Sequence, residues 1–134
     1  MKAITLFRRA ARWLYDQDEE LVEGGCADVS AILLALAQRL KIEARLVEGS
    51  ARSVEDGTFD HVWLKIEGEA FDPVAYARGR RFREYAPAKL KRGEHVLPWH
   101  GSFCDPSDAM NRRFRDAWVD QIIEAFQLHM RRNP

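Results

Sequence analysis

Three residues that together can do thiol chemistry follow one another along the chain: Cys26, His61 and Asp72. Cys26 comes directly after Gly24-Gly25 and opens the run Ala27 to Leu40, which is apolar on nearly every side. A helix of that composition must be buried. Its first amides lack intrahelical partners and its dipole is positive there, which favours a thiolate over a thiol. A cysteine in an apolar helix is more often a packing residue, so Cys26 gains its meaning from what lies downstream. His61 and Asp72 fall on stretches with the period of strands. A thiol at a helix start, an imidazole to take its proton and a carboxylate to orient the imidazole are the nucleophile, base and orienter of acyl transfer. The Cys26 amide then offers one donor to an oxyanion.

The elements that must hold these groups can be read from the pattern. Ile42, Ala44 and Leu46 alternate with polar residues, so 42–48 is a first strand with those three on one face. Gly49 to Gly57 is polar and bounded by glycines, and reads as a loop. Phe59 to Ile66 is a second strand, Glu67-Gly68 a two-residue turn, and Glu69 to Asp72 a third strand. With that turn Ile66 faces Glu69, Leu64 faces Phe71 and Trp63 faces Asp72. Val62, Leu64, Ile66 and Phe71 then share the core face, while His61, Trp63, Ala70 and Asp72 share the other. His61 and Asp72 become diagonal neighbours. A loop one residue longer would turn Asp72 away from His61. The apolar pattern and the pairing of His61 with Asp72 therefore ask for the same register.

Around this centre, Ala3, Leu6, Phe7, Ala10 and Leu14, with Trp13, recur at helical spacing and predict an amphipathic first helix. Residues 16–28 carry six acids and no base, a local charge of −6 that opposes the helix-end effect on Cys26. Residues 74–104 show no clean period. Within them 78–92 hold seven basic residues and Glu84, a local +6 that suits an acidic substrate or the acidic segment itself. From Asp105-Pro106 to about Arg131, Met110, Phe114, Trp118, Ile122 and Phe126 recur every four residues, with Ala117, Ile123 and Met130 beside them. That is a long amphipathic helix with Asp105 as N-cap, Pro106 in its first position and Asp108 in its first turn.

With 134 residues, the chain has room for one domain with a core of its own. Its formal net charge of +0 gives no overall field toward nucleic acid, and no apolar run is long enough to span a membrane. Two cysteines make no disulfide framework, and arginines interrupt the start too early for an export signal, so a cytoplasmic protein is expected.

At these residues the chain resembles the transglutaminase-like superfamily. The matching pieces are Gly25-Cys26 with Ser30, Leu33, Leu36 and Leu40, then residues 42–49, His61 to Gly68 and Phe71-Asp72-Pro73. They keep the family's order of Cys, His and Asp. The resemblance implies an α+β fold with a papain-like core: a buried helix bearing the cysteine, packed on an antiparallel sheet, with helices at both chain ends. It divides a single domain into a core of about 20–76, a basic loop of 77–104 and a terminal helix of 105–131. It implies Cys26, His61 and Asp72 as a catalytic triad, with Trp63 as a wall of the site and Gly25 beside the nucleophile. Six residues before the cysteine, where papain-like enzymes often have glutamine, stands Glu20; Gln17 is the nearby alternative for a second oxyanion donor. The implied activity is hydrolysis of a peptide or amide without a cofactor. Glutamine deamidation or cross-linking on the same triad, and a non-catalytic binding module on the same fold, are the alternatives. Animal transglutaminases are far longer, and the chain is too short for the extra domains of arylamine N-acetyltransferases. His95, His100, Cys104 and Asp105 are spaced acceptably for a zinc site but match no standard ligand motif, and no metal is expected.

Overall fold

The computed structural model describes residues 1–19, 26–96 and 109–134, with side chains in the last helix from residue 116 onward. Chain contacts divide the protein into two compact units, Met1–Pro98 and Trp99–Pro134. The fold is α+β. Its described elements, in order, are α1 (Ala3–Gln17), α2 (Cys26–Arg39), β1 (Ala44–Ser53), β2 (Gly57–Ile66), β3 (Glu69–Phe71), α3 (Pro73–Arg78), β4 (Arg83–Pro87) and α4 (Ala109–Arg132).

In the first unit, α1 buries Phe7, Ala10, Ala11 and Leu14, and packs against α3 and α2. The Arg12 guanidinium donates to the Ala77 carbonyl at 3.2 Å, tying α1 to the end of α3. Helix α2 buries Val29, Ser30, Ile32, Leu33, Leu36 and Ala37 and lies against β1 and β2. None of its residues is exposed before Gln38, as its composition demands.

The four strands form one antiparallel sheet in the order β3-β2-β1-β4. The second hairpin has the expected register: Leu64 pairs with Phe71 and Ile66 with Glu69. Glu67 and Gly68 both take positive φ, 50° and 81°, which is the two-residue turn whose twist matches the flanking strands. Val62, Leu64 and Ile66 on the core face are exposed by 1% or less.

Other expectations are corrected. Residues 49–53 are strand, not loop: β1 runs on to Ser53, paired with Gly57, and the connection is only Val54-Glu55-Asp56. The Asp56 amide donates to Ser53 Oγ at 2.9 Å and Gly57 takes φ 68°, so polar residues close a tight hairpin there. The first strand begins at Ala44, and its most buried residues are Val47, Gly49, Ala51 and Ser53, on the face opposite Ala44 and Leu46. Both sheet faces are covered, so a single apolar stripe could not be read. The third strand ends at Phe71, and Asp72 instead caps α3. The stretch expected as basic loop contains the end of α3 and all of β4. Ion pairs of Arg80 with Glu55 at 2.8 Å and of Glu84 with Arg52 at 3.6 Å anchor this stretch.

The second unit contains α4. Its least exposed described side chains are Val119, Ile123 and Phe126, with Trp118, Ile122 and Met130 half-buried; Ala117 is exposed, contrary to the expected stripe. Asp105, Pro106 and Asp108, read as its start, lie outside the described residues. No described helix is long and apolar enough to cross a membrane.

Candidate active site

Asp72 stands where β3 gives way to α3, and Pro73 after it supplies the fixed φ of a first helical residue. Its Oδ1 accepts from the amides of Val74 at 3.1 Å and Ala75 at 3.2 Å, an N-cap that locks the side chain. Its Oδ2 is thereby aimed across the sheet at His61, whose Nε2 lies 2.6 Å away. Both side chains are nearly sealed from water, at 3% and 7% exposure. The same Oδ2 accepts from the Tyr85 hydroxyl at 2.7 Å. Four donors thus occupy the four acceptor positions of one carboxylate.

With Nε2 engaged by Asp72, Nδ1 is the imidazole nitrogen left for another partner, and Cys26, the first residue of α2, is near enough to bear on the charge of His61. Cys26 is half-buried, while the imidazole is enclosed. Burial disfavours the charged imidazole. The hydrogen bonds and negative charges of Asp72 and Cys26 outweigh it, and the His61 pKa is pushed up to about 9. The imidazolium is therefore the state held at neutral pH, beside the Cys26 side chain.

The enclosure of His61 is aromatic. Phe59 and Phe82 meet its ring edge to face, with centroids at 5.3 and 5.4 Å; Trp63 stacks on it at 6.0 Å and Tyr85 tilts over it at 6.4 Å. Trp63 lies on the His61 face of β2, as the register requires. It is only 3% exposed and packs edge-on against Tyr85 at 5.1 Å, so it backs the imidazole instead of forming an open wall. Gln17 ends α1 and is exposed. Gly25 and Glu20 lie outside the described residues.

Phe59, Phe82 and Tyr85 escaped the reading of the sequence. Phe59 alone left a signal, since it shares the alternation of His61 and Trp63. Of the four residues spaced for a zinc site, His95 is described and its Nδ1 is engaged by Glu48 at 3.1 Å, while His100, Cys104 and Asp105 lie outside the described residues. Among the described residues no three potential ligands gather.

Comparison of the chain with family models, with curated proteins and with solved structures finds no match.

Proposed function

We propose that this chain is a thiol-dependent amide hydrolase, a compact member of the transglutaminase-like superfamily with a papain-like core, in which Cys26, His61 and Asp72 act as one unit. The observation that carries this reading is a sealed imidazole held on Nε2 by a fully satisfied carboxylate, with Cys26 near enough to bear on its charge. A buried histidine kept only for packing has no need of a thiol and a fully satisfied carboxylate beside it.

The proposed reaction uses the Cys26 sulfur as nucleophile and the His61 imidazolium as acid. The Cys26 thiolate attacks the carbonyl carbon of the substrate amide, and the carbonyl oxygen becomes an oxyanion beside the Cys26 amide at the start of α2. His61 gives its Nδ1 proton to the leaving nitrogen, the C–N bond breaks, and the acyl group remains on sulfur as a thioester. A water then loses a proton to Nδ1 and attacks the thioester. The intermediate expels the thiolate, releasing the acid and restoring the ion pair. Asp72 stays ionised throughout and keeps the imidazole in the orientation both steps need. The substrate is a peptide or protein amide, and the basic excess over 78–92 favours an acidic one.

Two measurements test this. Native protein treated with iodoacetamide at neutral pH should be alkylated at Cys26 much faster than at Cys104, and His61→Ala should remove the difference. Incubation with a peptide library, read by mass spectrometry, should give new chain ends. Conversion of Gln to Glu would shift the assignment to deamidation, and amine attachment to cross-linking. Equal slow alkylation of both cysteines, with peptide cleavage unaffected by Cys26→Ala, would overturn the proposal.

A further inference from the structure

We propose that Tyr85 is a positioning residue of this site: its hydroxyl shares Asp72 Oδ2 with His61, and its ring holds the imidazole in place. The inference rests on the reading of Cys26, His61 and Asp72 as a reacting unit and adds a fourth member to it.

Three features of the backbone converge on bringing Tyr85 there. β4 joins β1 with an irregular register between Ser50 and Arg52. Such a bulge re-aims side chains next to it. Glu84, directly before Tyr85, takes φ 53°, the left-handed region that non-glycine residues seldom occupy. Gly49, which faces His61 on one side and Pro87 on the other, has no Cβ, and the Ala86 carbonyl fills the space one would need. An edge strand of five exposed residues is thus bent, strained and brought close at one point. The side chain set at that point reaches the Asp72 carboxylate, although Tyr85 itself is still 39% exposed.

The hydroxyl has a definite chemical effect. A carboxylate oxygen that accepts from one donor offers less negative charge to another. Tyr85 therefore moderates the hold of Asp72 on the imidazolium, which has to release its proton to a leaving group. Burial first, then the charge of Asp72 and its hydrogen bond, keep the phenol protonated far above its ordinary range, so it remains a donor wherever the fold is stable. The ring has a separate effect. Together with Phe59, Phe82 and Trp63 it walls His61, and Phe in its place would keep that wall.

The test separates hydroxyl from ring in the full chain. The groups facing His61 are Asp72, Cys26 and Tyr85, and among them only Tyr85 is altered in Tyr85→Phe. The His61 titration, followed by the NMR signals of its ring protons, should move upward in Tyr85→Phe, because Asp72 Oδ2 is left to the imidazolium alone. Peptide hydrolysis by Tyr85→Phe should show kcat lowered several-fold with KM unchanged. Tyr85→Leu, which removes the ring as well, should lose more. A Tyr85→Phe protein with native-like NMR dispersion and an unmoved or lowered His61 titration overturns the inference. That titration needs no turnover, so it stands or falls separately from the proposed hydrolysis, which Cys26→Ala decides.

Discussion

The backbone carbonyl of Ala86 occupies the space that a Cβ on Gly49 would need. No rotamer can relieve such a clash, because both partners are main chain. Gly49→Ala should push β4 away from β1 and cost about 1–3 kcal/mol, the usual range for overpacking. Urea unfolding measures that cost. Because β4 carries Tyr85, the variant should also lose kcat to at least the extent of Tyr85→Phe. A Gly49→Ala protein as stable as the parent would show that β4 moves freely and does not aim Tyr85.

Asp72 has two duties, and they can be separated. Asp72→Ala removes the cap of α3, worth about 0.5–2 kcal/mol, and also leaves a buried imidazole without its partner. Asn can still accept from the amides of Val74 and Ala75, so Asp72→Asn should keep the cap of α3 and cost less stability than Asp72→Ala, its loss being that of the charge that holds His61 protonated. Its amide group, however, presents donors to His61 Nε2 and favours the tautomer protonated at Nδ1. That nitrogen can then no longer take a proton from sulfur or water. Hydrolysis should fall on the order of a thousandfold or more. Thermal unfolding and kcat, measured on both variants, make the separation visible.

How far the site was legible in the sequence follows from which interactions are local. The turn at Glu67-Gly68 sets the register of β2 and β3, and register alone puts His61, Trp63 and Asp72 on one face. The apolar run from Ala27 to Leu40 sets the burial of α2 in the same way. The cap at Asp72 was written plainly as Asp72-Pro73 with Gly79 six residues after the proline, yet a helix of one and a half turns is too short to show a period. Tyr85 and Phe82 were not legible. The five residues of β4 are all exposed, so no alternation of apolar and polar marks them as strand. They are placed by the close approach of Gly49 and by an irregular register against β1 that leaves the extra residue in β4, contacts more than thirty residues away in the chain.

If Cys26, His61 and Asp72 act as one unit, their losses should not add. Cys26→Ala should abolish hydrolysis, and Cys26→Ala with His61→Ala should be no slower than Cys26→Ala alone. Steady-state rates of the two singles and the double decide this. A double variant slowed by the full product of the two single effects would mean that His61 acts on a step that does not involve the sulfur.

The last prediction concerns pH. His61 titrates at about 9 in the folded chain and near 6.5 in the unfolded one, so its protonated form stabilises the fold. The sign follows: that stabilisation is fully present below about 6.5, declines above it, and is gone once the pH has risen through about 9. Denaturant midpoints should fall across this window, and should fall less in His61→Ala. Hydrolysis should decline on the alkaline side near the same value, since the imidazolium is the acid that releases the leaving group. The order of causes makes the prediction sharper. Burial lowers the His61 pKa, and of the influences that raise it the hydrogen bond to Asp72 is largest, followed by that to Cys26. Cys26→Ala should therefore move the His61 titration downward, and Asp72→Asn should move it further. NMR titration of the His61 ring in both variants reads the shifts directly. If the two variants fall in the opposite order, the sulfur and not the carboxylate is what keeps the imidazole charged.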